Sequence, residues 1–318
     1  MSIYIILYFI AIFNAYFKFF LWRQSMKSSI FSGACTALIT PFREGEIDYA
    51  ALKKLIEFQI SSGIDALLVN GTTGESATLS DSEKKELIAF AVREVGGRVP
   101  LIAGTGSNDT KKAIELSEFA ADAGADAVLV VTPYYNKASA SGLARHYTAI
   151  ADACTVPLIL YNVPSRTGVN IPRPVLRSLS EHENIVAIKE ASANVSYAAH
   201  IVEDCRDKLD LYSGNDDLTL PLLSLGGLGV ISVLSNALPR EVSELCRLWF
   251  DGKVKEASAL ALKLLPLTDA IFSEVNPIPI KALLAYLDFC CEEYRLPLSP
   301  MEECKKEALI NEFEKFKL

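Results

Sequence analysis

The sequence predicts a (β/α)₈ barrel with a C-terminal helical extension, on three observations. Short apolar runs alternate with longer amphipathic ones through most of the chain. The apolar runs are rich in Val, Ile and Leu and lack polar alternation, as expected of strands covered on both faces. Ser62-Gly63-Ile64-Asp65-Ala66-Leu67-Leu68-Val69 recurs in degenerate form as Ala123-Gly124-Ala125-Asp126-Ala127-Val128-Leu129-Val130, 61 residues further on. That offset is two units of about 30 residues. A doubly wound open sheet is the main rival. It usually places a G-x-G-x-x-G after an early strand, and none stands there.

Three regions follow: an apolar extension at 1–25, the barrel at 26–250 and a helical region at 251–318. Residues 3–21 are nearly all apolar or aromatic, interrupted by Asn14 and Lys18. Such a stretch is a candidate membrane span, but it lacks the basic leader and cleavage site of a secretory signal. Lys18, Arg23 and Lys27 lie towards its C-terminal side, so a real anchor would leave the barrel cytoplasmic. A start at Met26 would remove the extension and leave a complete soluble domain. That reading is preferred over an anchor or a targeting segment, and membrane contact is expected only if residues 1–25 are translated.

Strands are expected at 34–39, 66–69, 99–103, 127–131, 157–161, 185–189, 209–212 and 229–233. Helical patterns occupy 49–61, 82–95, 111–123, 142–153 and 196–205 between them. Asp48 and Ser80 are candidate N-caps, and Glu83 stands at capping-box spacing from Ser80. Beyond Ser235 the pattern is helical at 240–250, 253–272, 279–292 and 301–316, with a kink expected near Pro266.

Composition narrows the chemistry. The net charge of −8 argues against generic binding to a phosphate backbone. The 7 cysteines are scattered without a C-x-x-C, which reads as reduced thiols in a cytoplasmic protein. None of the 3 histidines has metal-ligand spacing, so protons must be carried by other groups.

In such a barrel the active site lies at the C-terminal ends of the strands. Lys189 ends the run Ile185-Val186-Ala187-Ile188, and a neutral amine there could attack a ketone to form an imine. The plain alternative is a rim ion pair with Glu190. Tyr135 and Tyr161 end other strands and could shuttle protons, linked by Thr72 or Thr73. Gly71-Thr72-Thr73-Gly74 could hold a small carboxylate in a tight turn. Arg166 could clamp a second carboxylate. Each of these also has an ordinary structural reading: packed tyrosines, a plain βα turn, a surface arginine.

Taken together, these residues resemble the dihydrodipicolinate synthase family of pyruvate-dependent class I aldolases and lyases. The matching segments are Gly71-Thr72-Thr73-Gly74-Glu75-Ser76, Ile102-Ala103-Gly104-Thr105-Gly106, Val131-Thr132-Pro133-Tyr134-Tyr135-Asn136, Leu160-Tyr161-Asn162-Val163-Pro164-Ser165-Arg166-Thr167-Gly168, Ile188-Lys189-Glu190 and Asn276-Pro277-Ile278-Pro279. The likeness runs from about residue 30 to 315.

The resemblance implies that Lys189 forms an imine with pyruvate. It makes Tyr161 the main proton donor and acceptor, linked through Thr73 to Tyr135. Thr72 and Thr73 would contact the pyruvyl carboxylate, and Arg166 the carboxylate of L-aspartate 4-semialdehyde. Gly214 and Ile231 would give backbone contacts near the imine, and Tyr134 would reach across a tight dimer. No metal or diffusible cofactor is implied, and the assembly would be a homotetramer of two tight dimers. Sister enzymes that cleave N-acetylneuraminate or sugar acids share the lysine and the tyrosine after the fifth apolar run. The doubled threonine, Tyr134-Tyr135 and Pro164-Ser165-Arg166 favour the synthase.

One departure stands out. Feedback-inhibited members bind lysine in a dimer cleft lined by histidines and a glutamate. Here Asp81 and Lys84 take the histidine positions and Lys112 the glutamate position, while Ser76, Ala77, Asn108 and Tyr134 match. Lys112 would repel the ligand's ammonium groups, so inhibition by lysine is expected to be weak or absent.

Overall fold

The computed structural model describes residues 29–317, so the expectations for the apolar N-terminal extension lie outside the described residues. Strands β1 (Gly33–Ala37), β4 (Ala66–Val69), β5 (Leu101–Gly104), β6 (Ala127–Val131), β7 (Leu158–Asn162), β8 (Ile185–Glu190), β9 (Asp210–Ser213) and β10 (Gly229–Ser232) form a closed barrel. Neighbours pair in parallel, and β10 closes onto β1 through Gly33 opposite Gly229 and Cys35 opposite Ile231. Strands β2 (Phe42–Arg43) and β3 (Glu46–Ile47), which follow β1 in the chain, form a small separate antiparallel hairpin, which two-residue strands could not signal in the sequence. The predicted (β/α)₈ barrel is thus the observed fold.

The internal repeat has a physical basis. Gly63 and Gly124 take positive φ angles of 84° and 99° where helices end, a conformation glycine adopts at no steric cost. Two residues on, Asp65 accepts a hydrogen bond from Ala34 N–H at 2.8 Å, and Asp126 accepts one from Leu101 N–H at 2.8 Å. Each aspartate therefore ties the start of its own strand to the preceding strand of the barrel. The expected caps also form: Asp48 accepts from Ala51 N–H, and Ser80 and Glu83 make a reciprocal capping box.

Side chains from the strands divide into two layers. One layer packs outwards under the helices, with Leu67, Val128, Leu160 and Ile188 among its fully buried members. The other fills the barrel, with Cys35, Ile102, Ile159 and Ile231 inside. Phe31 stacks on Tyr212 with ring centroids 4.3 Å apart, and the Tyr212 hydroxyl donates to Phe31 O at 2.7 Å. This pair fills the N-terminal end of the barrel and leaves the C-terminal end for chemistry.

The short helices Arg173–Ser180 and Thr219–Ser224 complete the ring; too few turns hid them from periodicity. The helix Val254–Ile271 runs through Pro266 as one element. The next helix, Ile278–Tyr286, ends six residues before the sequence pattern does. Asp288 turns left-handed at φ 59°, and Phe289 N–H bonds back to Leu284 O, which stops the helix. The last helix is Glu303–Lys317. Among the described residues, no helix is long and apolar enough to cross a membrane.

Candidate active site

The pleat of β8 decides where Lys189 and Glu190 go. Successive strand residues face opposite sides, and the two side chains part accordingly. Lys189 is only 5% exposed, and its Nζ lies 4.6 Å from the centroid of the Tyr161 ring, its register partner on β7. Glu190 faces the other way. Its carboxylate accepts from Asn162 Nδ2 at 2.8 Å and from Ser192 N–H at 2.6 Å, and burial pushes its pKa up. The rim ion pair between Lys189 and Glu190 therefore does not form. Glu190 instead joins β7 to β8 one residue beyond the Tyr161–Lys189 pair.

Gly214 follows β9 and donates its N–H to Glu190 O at 2.7 Å. A Cβ there would stand 2.6 Å from Ala191 Cβ and 3.0 Å from Lys189 Cε, so only glycine leaves the lysine stem its course. Ile231 is fully buried in β10 inside the barrel. Asp216 lies close enough for the Lys189 charge to oppose the upward pKa shift that burial imposes on its carboxyl. Its carboxylate also accepts from Ser232 Oγ and from Val233 N–H, joining the loop after β9 to the end of β10.

The threonine loop after β4 is a closed turn. Gly74 and Ser76 N–H groups bond to Gly71 O, and Glu75 N–H bonds to Thr72 O. Those donors are occupied, so a carboxylate at this turn would rely on Thr72 and Thr73 themselves. Thr40 Oγ1 donates to Gly74 O at 2.7 Å, anchoring the turn to the loop after β1. Thr73 is buried, and its Oγ1 accepts from Asn276 Nδ2 at 3.0 Å. Arg166, on the short helix Pro164–Thr167, donates from Nη2 to Asn276 O at 2.9 Å. One residue of the C-terminal region thus holds two predicted site residues from different strands.

A cavity of about 440 Å³ lies over this end of the barrel, with Thr72, Gly104, Tyr134, Arg166 and Asn276 in its wall. Lys189 and Tyr161, on the strands below, do not themselves line it. Lys84 does, and with Arg166 and Glu75 its walls carry two cationic side chains and one carboxylate.

Tyr135 does not join the others within the chain. It is 93% exposed with φ at 67°, and its side chain points into solvent. The expected link from Tyr161 through Thr73 to Tyr135 is therefore not made inside one chain. Tyr134, at 38% exposed, lies in the cavity wall.

Sequence reasoning also missed a buried ion pair. Lys281 Nζ lies 2.5 Å from Glu75 Oε1, with side chains 0% and 1% exposed. Glu75 directly follows the threonine turn and adopts φ 52°. The hint was present, because Glu75 and Asn276 both stand in quoted motifs, but their partners lie some 200 residues away.

A buried lysine beside a tyrosine ring, at the C-terminal ends of the strands of a closed parallel barrel, fits the imine-forming class I aldolases and lyases. The chain matches the Dihydrodipicolinate synthetase family over residues 30–315, and it belongs to that family. It is 52% identical over 274 residues to a 4-hydroxy-tetrahydrodipicolinate synthase of Clostridium perfringens, covering 86% of this chain and 94% of that protein. The solved structure of the 4-hydroxy-tetrahydrodipicolinate synthase from Methylacidiphilum fumariolicum SolV superposes with a TM-score of 0.88 at 44% identity, covering 90% of this chain and 96% of that one. A dihydrodipicolinate synthase from Cyanidioschyzon merolae, solved with lysine bound, gives 0.88 at 41% identity, covering 92% and 100%.

Proposed function

We propose that the protein condenses pyruvate with L-aspartate 4-semialdehyde to give 4-hydroxy-tetrahydrodipicolinate, the first committed step towards diaminopimelate and lysine. The observation that carries this reading is the burial of Lys189 beside the Tyr161 ring, in a member of this family. The Lys189 amine attacks the ketone of pyruvate and water leaves, giving an iminium. That cation draws electrons from the pyruvyl methyl, which loses a proton to form an enamine. The enamine carbon attacks the aldehyde carbon. The product's own amine then displaces Lys189, closing a six-membered ring and freeing the enzyme.

Tyr161 passes the protons, through Thr73 to Tyr135. Thr72 and Thr73 receive the pyruvyl carboxylate, and Arg166 clamps the carboxylate of the semialdehyde in a charge-assisted pair. Gly214 and Ile231 supply backbone contacts near the imine. The exposure of Tyr135 supports a second copy of the chain as the place where its hydroxyl acts, with Tyr134 beside it at the dimer contact. The same reading makes the protein a cytoplasmic homotetramer of two tight dimers.

Borohydride reduction in the presence of pyruvate, followed by peptide mapping, tests the central step. The expected result is a pyruvyl adduct on Lys189, and an adduct elsewhere would defeat the proposal. Turnover of L-aspartate 4-semialdehyde against N-acetylneuraminate then separates the synthase from a sister aldolase.

A further inference from the structure

We infer that Asn162 and Glu190 are positioning residues: their buried side-chain bond holds a one-residue bulge in β8 that turns Lys189 into the barrel beside Tyr161. The inference rests on the imine chemistry proposed above and concerns how the lysine is aimed for it. Strands β7 and β8 do not pair evenly. Leu158 stands opposite Ile185, but the next residue, Ile159, stands opposite Ala187, so Val186 is extra. The packing records the same irregularity. Ile185 and Ile188 lie in the outer layer, while Val186 and Ala187, consecutive in the chain, both lie with the residues that fill the barrel. An extra residue of this kind re-aims the side chains beyond it.

Side chains alternate between the faces of a strand, so a slip of one residue reverses them all. Counted evenly from Leu158 and Ile185, Tyr161 would meet Ile188, and Asn162 would meet Lys189. Tyr161 faces the barrel, so Asn162, the next residue, faces the helix layer, and Lys189 would be carried there with it. With Val186 bulged, Lys189 pairs with Tyr161 and Glu190 with Asn162. Backbone ladder bonds can form in either register, and it is the side chains that choose between the two. Asn162 is 0% and Glu190 3% exposed, and Asn162 Nδ2 donates to the Glu190 carboxylate at 2.8 Å. Asn162 is itself fixed: its Oδ1 accepts from Ile171 N–H at 3.0 Å, and its Nδ2 also donates to Asn170 Oδ1 at 2.7 Å. In the even register Glu190 would turn towards the barrel, and its bond to Asn162 would be lost.

Charge and bond can be separated. Glu190→Gln removes the charge but keeps an amide oxygen for the Asn162 hydrogen. Glu190→Leu removes both with a side chain of similar bulk, and Asn162→Leu removes the donor on the other strand. In Glu190→Leu, Asn162 keeps its bond to Asn170, so the fold loses little beyond an acceptor for Ser192 N–H. Imine formation at Lys189 should therefore slow without a matching fall in stability.

The test measures the rate of imine formation with pyruvate by time-resolved borohydride trapping, and urea unfolding of the same variants. Glu190→Leu and Asn162→Leu should each trap on the order of 10²-fold more slowly, the scale of a misplacement by about 1 Å. The double variant should be no slower than the slower single one, because both substitutions remove one bond. Glu190→Gln should trap at close to the wild-type rate. Val128→Ala, a core truncation in the outer layer of β6, should lose stability and trap normally. Wild-type trapping in Glu190→Leu or Asn162→Leu would overturn the role. So would a Glu190→Gln variant as slow as Glu190→Leu, which would make the charge the cause. An additive double variant would also overturn it, as would a Val128→Ala variant equally slow, which would tie the rate to stability alone. A wild-type protein that traps no imine would overturn the underlying reading and this role with it.

Discussion

The Glu75–Lys281 pair predicts a large and selective loss of stability on substituting one partner. Lys281 is wholly enclosed, its Nζ 2.5 Å from Glu75 Oε1 and 4.1 Å from the centroid of Phe42. Burial pulls its pKa down, and the Glu75 carboxylate opposes that shift. Lys281→Met keeps most of the volume and removes the charge. Glu75 would then be a carboxylate sealed from water, left with Arg295 N–H at 3.3 Å. Breaking a buried pair from one side costs about 3–5 kcal/mol, because the surviving charge has neither water nor a counter-charge. Against a typical total of about 5–15 kcal/mol, that is a substantial part of the fold's stability.

Replacing both partners tells a different story. Glu75→Gln with Lys281→Met leaves no charge to desolvate and keeps an acceptor for Arg295 N–H. The double variant should therefore recover at least ~2 kcal/mol over Lys281→Met alone, a coupling expected of groups in direct contact. Urea unfolding followed by far-UV circular dichroism measures both. A Lys281→Met variant within ~1 kcal/mol of wild type, or a double variant no more stable than the single one, would refute the argument.

Three further outcomes follow from named residues. Tyr161→Phe should cut turnover by a factor on the order of 10²–10⁴ while Lys189 still traps pyruvate, and an unchanged rate would remove Tyr161 from the proton chain. Lysine should inhibit weakly or not at all, because Asp81 already sits between Lys112 at 3.3 Å and Lys84 at 3.9 Å, leaving that cleft one positive charge in excess; millimolar lysine halving turnover at saturating pyruvate would overturn this. His146 is buried with Nδ1 2.9 Å from Thr110 Oγ1, and burial pushes its pKa from 6.5 down to about 4. The unfolded chain therefore takes up the proton first as pH falls. The stability that neutral His146 allows is whole above pH 6.5 and is lost progressively towards pH 4, by up to ~3 kcal/mol. In His146→Gln the unfolding free energy should fall less steeply over that window, and an identical slope would refute the assignment.

What the sequence made legible was whatever has a local signature. Strands covered on both faces announce themselves as unbroken apolar runs, and the repeat around Asp65 and Asp126 records a bond that successive barrel strands need. Ser80 and Glu83 lie within one turn, so their capping box could be read directly. Lys189 was legible because a charge ending an apolar strand can only face the barrel mouth or the helix layer, and the pleat then separates it from Glu190. Two-residue strands and the helix Arg173–Ser180 carry too few residues for any period to appear.

The unread part of the site is long-range. Lys281, and Asn276 even within its motif, give no sign of their partners until the chain folds back. They then meet Thr73 and Glu75, on either side of Gly74, from some 200 positions away. Nothing periodic encodes such a meeting. The physical consequence is that the C-terminal region is more than a cover. Through Asn276 it bonds Thr73 and Arg166, and through Lys281 it pairs with the carboxylate of Glu75, the residue that ends the threonine turn. A barrel cut after the helix Pro239–Phe250 would keep Lys189 and Tyr161 on their strands. It would lose the amide that meets Thr73, the carbonyl that meets Arg166 and the counter-charge of Glu75.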